Sequence, residues 1–276
     1  MAEPQDAAGA RAAFATYRRL VAARIRADWQ YRTSFLVFLA AQAVVTGADF
    51  AVIAVIFTNV DQLAGWSAVE VAFLYGASGL AFGLGDLFVS PVEFATNHIK
   101  AGTFDGFLIR PVGALWQLLG VEFAPRRLGR TLQPAGVLVV VVAVAEVDWG
   151  PASVALVPLS VACGTVIYGA IWVVTSSFAF WTVETQEIAS SFTYGGNALT
   201  DYPIDVLGSW LRRIATFVVP LASVAYLPAV WLFDKPMPFG LPRLAAWTGP
   251  VVAVAAALVA RGIWGLGIRH YRSTGS

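Results

Sequence analysis

Long apolar segments separated by short polar ones constrain the fold of this 276-residue chain more than any other feature. They cover residues 34–58, 68–89, 131–145, 151–181 and 244–266. A helix of about 20 apolar residues crosses the ~30 Å hydrocarbon core of a bilayer. Charged residues make up 13% of the chain, whereas soluble domains carry about 25%. We therefore predict an all-α integral membrane protein whose single transmembrane domain covers 34–266.

The distribution of basic residues orients this domain. Residues 1–33, the loop 91–130 and the tail 267–276 contain many Lys and Arg side chains, whereas the turns 59–67 and 146–150 contain none. The positive-inside rule then places both termini and the loop in the cytoplasm. Arginine greatly outnumbers lysine, a bias that favours a GC-rich bacterial gene. We expect a multi-pass protein of a bacterial cytoplasmic (inner) membrane.

The number of spans follows from this orientation. Termini on the same side require an even number, so we predict six spans, with residues 182–233 supplying the one that is not obvious from hydropathy. The charge bias favours 215–233 as this span, because Arg212 and Arg213 would then lie on the cytoplasmic side.

An amphipathic helix is predicted over 12–32, directly before the first span. Apolar side chains recur there every three to four residues among many arginines. A basic helix of this kind is typical of an anchor lying in the plane of an anionic membrane surface. The anchoring residues would be Arg18, Arg19, Arg24, Arg26 and Trp29. The alternative is a soluble surface helix.

The segment 92–112, inside the loop 91–130, begins with a short helical pattern. Val92, Ala95 and Ile99 would share one face of this helix. Gly102 would end it, because glycine enters the left-handed conformation without steric cost.

A second helical turn follows in the same segment. Thr103 can cap it, Phe104, Phe107 and Leu108 would share its apolar face, and Pro111 stops it. Two interpretations are open at this point. The aromatic side chains could rest on lipid headgroups, or they could form an apolar knob that docks into a soluble partner.

Asp49 is the most unusual residue of the first span, because a carboxyl group inside a membrane is costly. Together with Gln42 and Thr46 it forms a polar stripe with helical spacing. The stripe could line a substrate path or contact a cation. It could equally make hydrogen bonds between helices.

The sequence carries no motif of a common catalytic or nucleotide-binding site: HExxH, GxSxG, CxxC and a Walker A loop are all missing. His98 and His270 are interpreted as interfacial polar residues, and Cys163 as a core residue. We predict that the chain is not an enzyme and binds neither a cofactor nor a metal.

The loop sequence GTFDGFLIRPV (102–112), followed by Gln117, resembles one six-span branch of the permease subunits of ABC type 2 exporters, in which this segment reads roughly G-x-F-D-x-x-L-I-R-P. The stretch 202–229 resembles the same branch. The resemblance implies short cytoplasmic coupling helices in the loop 91–130 and a re-entrant helical hairpin over 204–233. It also implies that about 184–203 crosses the membrane. That conflicts with the charge argument above, and we follow the resemblance because a broken, proline-rich segment fits a re-entrant element.

The resemblance also implies a function and a set of partners. The chain would be the permease of an ATP-driven exporter for an amphipathic substrate: a drug, a natural product or a lipid-like molecule. ATP and Mg would be bound by a cytoplasmic ABC ATPase subunit, and a second permease copy or a sister permease would complete a dimer in the lipid bilayer. Nucleic acid is not an expected partner. Residues coupling the chain to the ATPase would be Gly102, Phe104, Asp105, Phe107, Leu108, Arg110 and Pro111. The alternative is a polytopic membrane scaffold or a membrane-embedded enzyme.

Overall fold

A computed structural model describes residues 7–182, 195–196 and 199–271, and all regular elements in these ranges are helical. The α-helices are α1 Ala7–Gln30, α2 Arg32–Phe57, α3 Ala68–Phe88, α4 Ala95–Lys100, α5 Asp105–Leu108, α6 Ala114–Val121, α7 Gly129–Val144, α8 Pro151–Ser177, α9 Ser209–Arg213, α10 Tyr226–Leu232 and α11 Gly249–His270. Short 3-10 helices cover Ser90–Phe94, Pro125–Leu128, Phe178–Phe180, Ile204–Val206, Leu221–Ser223, Pro238–Gly240 and Arg243–Trp247, and Ile214–Val218 is a π-helix.

Five helical segments of the described chain are long and apolar enough to cross a membrane. They are Arg32–Phe57, Ala68–Phe88, Pro125–Val144, Pro151–Phe180 and Gly249–His270. This confirms the all-α membrane class. The crossing expected at 184–203 lies largely outside the described residues, so the sixth span stays a prediction.

The long helices pack in the order α2, α7, α3, α8, α11, so that α3 lies in the centre and is almost entirely buried. Glycines on α3 permit its close contact with α7. A Cβ added at Gly76 would lie 2.9 Å from the backbone nitrogen of Leu138, and one at Gly83 would lie 2.9 Å from Cγ2 of Thr131. Gly79 faces Pro134 of α7 in the same way. The Gly79/Gly83 pair is therefore a helix-packing face.

The N-terminal helix α1 begins earlier than predicted and ends at Gln30, where a break at Tyr31 separates it from α2. It lies against the short helix α6, with the rings of Tyr17 and Trp116 6.0 Å apart. Leu20 lies so close to Gly120 that any Cβ there would be 2.9 Å from the leucine. Part of the apolar stripe of α1 thus covers the protein itself.

Residues 204–233 form a chain of short helices rather than one long helix. One continuous helix over 215–233 is therefore excluded, whereas the crossing that the charge bias favours there is not tested. Two prolines account for the breaks: Pro220 follows the π-helix, and Pro228 lies near the start of α10, where it needs no helical donor. The broken form is the one the resemblance implies, and its position in the membrane stays a prediction.

The segment 204–235 is fastened to the turn 59–67, at the end of the bundle opposite the loop 91–130. Asp205 accepts hydrogen bonds from Nε1 of Trp66 at 3.0 Å and from the hydroxyl of Tyr226 at 2.7 Å, and Arg212 pairs with it at 3.3 Å. Lys235 donates to the carbonyl of Gly65 at 2.8 Å. Arg212 thus has a carboxylate partner of its own, which weakens its value as a topology signal.

Candidate coupling loop and intramembrane cavity

The first half of the segment 92–112 folds as the sequence predicts. Val92, Ala95 and Ile99 are all buried on the inner face of the turn Ser90–Phe94 and of α4. Gly102 follows α4 with φ +68°, in the left-handed region. The prediction of a short helix closed by this glycine is confirmed.

Phe104 anchors the second half of the segment inside the protein. Its side chain is fully buried, with 0% exposure. Its ring lies 5.3 Å from that of Phe180, 6.4 Å from that of Trp264 and 5.2 Å from that of Tyr271. We call these three rings the aromatic cage. It joins the loop to the end of the fourth apolar segment and to the end of the last.

The expectation of an exposed aromatic knob is wrong for both phenylalanines. Phe107 is also buried, with its ring 6.0 Å from that of Phe104 and 5.0 Å from that of His98. The helical spacing correctly predicts one apolar face, but that face turns inward because aromatic residues from distant helices are there to cover it. Neither phenylalanine is available to headgroups or to a partner, so any coupling role must be exerted through their anchoring.

The exposed part of the segment lies just beyond them. Leu108, Ile109, Arg110 and Pro111 are exposed in succession, and we call them the exposed ridge. Ile109, at 85% exposure, is the most exposed large apolar side chain of the described chain. The sequence reasoning missed Ile109, although its place between Leu108 and Arg110, off the buried face, would have indicated it. Asp105 is half-buried, beside the ridge.

The side chains of Gln117 and His98 hold the exposed ridge in place. The side-chain amide of buried Gln117 donates to the carbonyls of Phe107, at 3.0 Å, and of Val112. His98 bridges Oγ1 of Thr103 at 2.8 Å and a carboxylate oxygen of Glu122 at 3.1 Å. These bonds tie both ends of the α5 turn to neighbouring helices, so the ridge can be displaced only together with them.

A buried ion cluster links the base of the loop 91–130 to the bundle. Asp86, near the end of α3, has a side chain with 0% exposure. Arg127 pairs with it at 2.6 Å and Arg130 at 3.1 Å, both from the start of the third span. We call these three residues the Asp86 cluster. In the sequence these arginines served only as part of the basic charge of the loop 91–130, and Asp86 was missed. A carboxyl at the end of an apolar segment, with arginines at the start of the next, is the signal that could have found the cluster.

Glu93 lies beside the Asp86 cluster and contacts α8. Its carboxylate accepts a hydrogen bond of 2.8 Å from Nε1 of the fully buried Trp172. Burial raises the pKa of Glu93, and the Trp172 hydrogen bond and the arginines partly oppose this. The base of the loop is thereby attached to three different apolar segments.

The polar stripe of α2 lines a cavity of about 420 Å³. The cavity is bounded by Gln42, Val45, Thr46, Asp49, Val52, Ile53, Tyr75, Gly79, Phe82, Arg130, Pro134, Asp201 and Tyr202. The structure thus brings all three predicted stripe residues together at one space. Asp49 is exposed there and has no hydrogen-bond partner among the described residues, which does not support the alternative that it joins two helices within the chain.

Asp201 is the second carboxylate of this cavity. Ser78 donates to it at 3.0 Å, and the neighbouring Thr200 lies 2.6 Å from the hydroxyl of Tyr168. The hydroxyl of Tyr75 lies 2.8 Å from the carbonyl of Thr46 and 2.6 Å from Oε1 of Gln133. The sequence reasoning did not connect Asp201 with the stripe, because nothing local links it to α2.

The predicted anchor residues of α1 all lie on its surface. Arg18, Arg19, Arg24, Arg26 and Trp29 are exposed. Arg24 also donates from Nε to the carbonyl of Val121 at 2.5 Å, so it holds α1 on α6. Their contact with lipid stays a prediction. Within the described ranges, no group of three or more His, Cys, Asp or Glu side chains could hold a metal ion.

A helical bundle with several segments long and apolar enough to cross a membrane, carrying a structured loop fastened to their ends, defines a multi-pass membrane protein. The chain belongs to the family described as ABC-2 family transporter protein, whose model matches residues 43–275. No curated protein and no solved structure matches the chain. Membership of this family makes the chain a membrane permease component of an ABC transporter, and the family implies an ABC ATPase as its partner.

Proposed function

We propose that this permease exports an amphipathic substrate from the cytoplasm, driven by ATP hydrolysis in the partner ATPase. The observation that carries the proposal is the attachment of the loop 91–130 to the bundle at two separate points, the Asp86 cluster and the aromatic cage. An ATPase outside the membrane can act only on a part of the permease that protrudes from the membrane. To transmit force from the ATPase, the permease needs a protruding ridge that is rigidly attached to the helical bundle.

In this proposal the ATPase contacts the exposed ridge. Leu108 and Ile109 offer apolar area, Arg110 can make charge-assisted hydrogen bonds, and Gly102 and Pro111 bracket the moving unit. Asp105 fixes the orientation of its α5 turn. Displacement of the ridge reaches α8 and α11 through Phe104 and Phe107, and α3 and α7 through the Asp86 cluster.

The substrate path runs along the cavity lined by Gln42, Thr46 and Asp49. Support comes from the exposure of α2, of which Ile53 is the one fully buried residue. A polar stripe on an uncovered membrane helix needs a cover other than lipid. A second permease copy or a sister permease supplies that cover, and the two chains together enclose the path.

The remaining assignments follow from the same arrangement. Residues 1–33, with the amphipathic anchor, and the tail 267–276 lie in the cytoplasm, and 34–266 form the six-span domain in a bacterial inner membrane. The segment 204–233 is re-entrant from the outer side. ATP and Mg stay on the partner, and the permease itself holds no cofactor.

The test is a pair of variants expressed with the partner ATPase. Ile109→Asp should abolish co-purification of the ATPase, because it puts a charge into an apolar contact, while membrane insertion stays normal. Asp61→Ala, an exposed change in the turn at the opposite end of the bundle, is the control and should change nothing. If Ile109→Asp retains the ATPase and coupled export, the ridge is not the contact. Transport that survives inactivation of the ATPase would contradict ATP-driven export, and the absence of any transport signal would instead favour a scaffold or an enzyme.

A further inference from the structure

A groove larger than the α2 cavity lies away from the proposed substrate path. It has a volume of about 1070 Å³ and runs between α8 and α11, with Val89 and the start of α6 also lining it. Pockets for drug-sized ligands usually measure about 300–1,000 Å³. Its lining comes from the final half of both spans, 166–173 and 257–269, so it opens at the end of the bundle that carries the loop 91–130.

The lining of the groove is apolar apart from two arginines. Among the described residues, Arg261 and Arg269 are the only charged side chains that line it, and no acidic one does. Both belong to α11, and eight residues at 1.5 Å per residue separate them by about 12 Å along the helix. Arg269 lies in the last turn and Arg261 well inside the span.

Neither arginine has a hydrogen bond or an ion pair with any described residue. This contrasts with Arg127 and Arg130, whose charges are matched by Asp86. An arginine at the depth of Arg261 is costly in hydrocarbon unless it meets an anion or water. The groove therefore combines long apolar walls with positive charge, inside it and at its mouth, that no described residue matches.

We infer that the α8–α11 groove binds one anionic phospholipid of the membrane leaflet at the loop end. The acyl chains lie along the apolar walls. The phosphate sits between the arginines at the mouth, beside Trp116, whose indole is typical of the headgroup level. Basic pockets between membrane helices on the cytoplasmic side are known to take anionic headgroups. The orientation rests on the proposed function, whereas the groove and its charges do not.

The site also contacts the coupling machinery. Trp264 lines the groove and is a member of the aromatic cage around Phe104. Trp116 lines it and packs on Tyr17 of α1. A bound lipid would therefore brace the last span and α6 against the loop, and anionic lipid should support coupled transport.

The experiment is photolabelling of the purified permease in nanodiscs, without the ATPase, so its outcome is independent of the proposed function. The probes are photoactivatable phosphatidylglycerol and the matching phosphatidylcholine, and labelled peptides are located by mass spectrometry. We expect phosphatidylglycerol to label 257–269 and 113–116 preferentially. Arg261→Gln/Arg269→Gln should reduce this labelling, by roughly five-fold for each charge removed.

The control is Arg213→Gln/Arg243→Gln, which removes two exposed arginines outside the groove. It should label like the unmodified chain, and all variants should elute identically on size-exclusion chromatography. Equal labelling by both lipids, or labelling that the groove variant does not reduce, would overturn the proposal. So would a cysteine crosslink showing that a second copy of this chain fills the groove.

Discussion

Replacing Phe104 by alanine tests whether the aromatic cage anchors the loop. Phe104 is fully buried among three rings at 5.2–6.4 Å. Truncating a buried phenylalanine costs about 3–5 kcal/mol, to which each aromatic pair contributes about 0.5–1.5 kcal/mol. At about 2–4 °C per kcal/mol for a chain of comparable length, the midpoint of thermal unfolding should fall by about 6–20 °C.

The assay is thermal unfolding of the purified permease in detergent, followed by tryptophan fluorescence, because Trp264 belongs to the cage. Phe104→Leu should lie between the alanine variant and the unmodified chain, since it keeps volume but loses the ring pairs. Ile109→Ala is the control: the side chain is 85% exposed, and such a change usually stays within about 0.5 kcal/mol. A shift below about 2 °C for Phe104→Ala, or an equal shift for Ile109→Ala, would refute the anchoring role.

Three further predictions concern helix contacts, pH and transport. Gly76→Ala should destabilise the permease by about 1–3 kcal/mol, because the added Cβ would lie 2.9 Å from the backbone of α7. Gly136 has open space around it, so Gly136→Ala is the control and should be neutral or stabilising. Midpoints of thermal unfolding distinguish the two variants. Burial raises the pKa of Glu93, so its contribution to stability is full below the usual carboxyl pKa and is lost as pH rises through the raised value. Glu93→Gln should therefore gain stability relative to the unmodified chain as pH rises above the usual carboxyl pKa. Unfolding measured at each pH tests this, and a stability difference that does not widen with pH contradicts the burial argument. Asp49→Asn should change export rate or substrate preference in cells without changing membrane insertion, and unaltered export of every substrate tried would remove Asp49 from the path.

The parts of the fold that are predictable from sequence are those set by local chemistry. The apolar segments, the Gly102 break and the inward face of Val92 and Ile99 depend on spacing and backbone conformation within a few residues. The burial of Phe104 does not depend on local spacing, because one of the rings that bury it is that of Trp264, 160 positions later in the chain. Spacing indicates that a face is apolar and cannot indicate whether a partner or the chain itself covers it.

The candidate site divides in the same way. Gln42, Thr46 and Asp49 share a helix face by spacing alone, so the stripe was predictable. Asp201 reaches the same cavity only through the packing of another segment, which no periodicity encodes. The charge of Arg212 is a weak guide to topology, because the positive-inside rule counts charges without knowing that Asp205 pairs with one of them.

The separation of Asp86 from its arginines has a consequence for biogenesis. Asp86 leaves the ribosome 41 residues before Arg127 and 44 before Arg130. At about 5–20 residues per second, the aspartate waits roughly 2–9 s for its partners. During that interval a lone carboxylate at the membrane edge has no counter-ion and keeps to water or stays protonated. The second span, the loop and the third span should therefore settle in the bilayer as one hairpin, and a nascent chain cut before Arg127 should hold its second span only loosely.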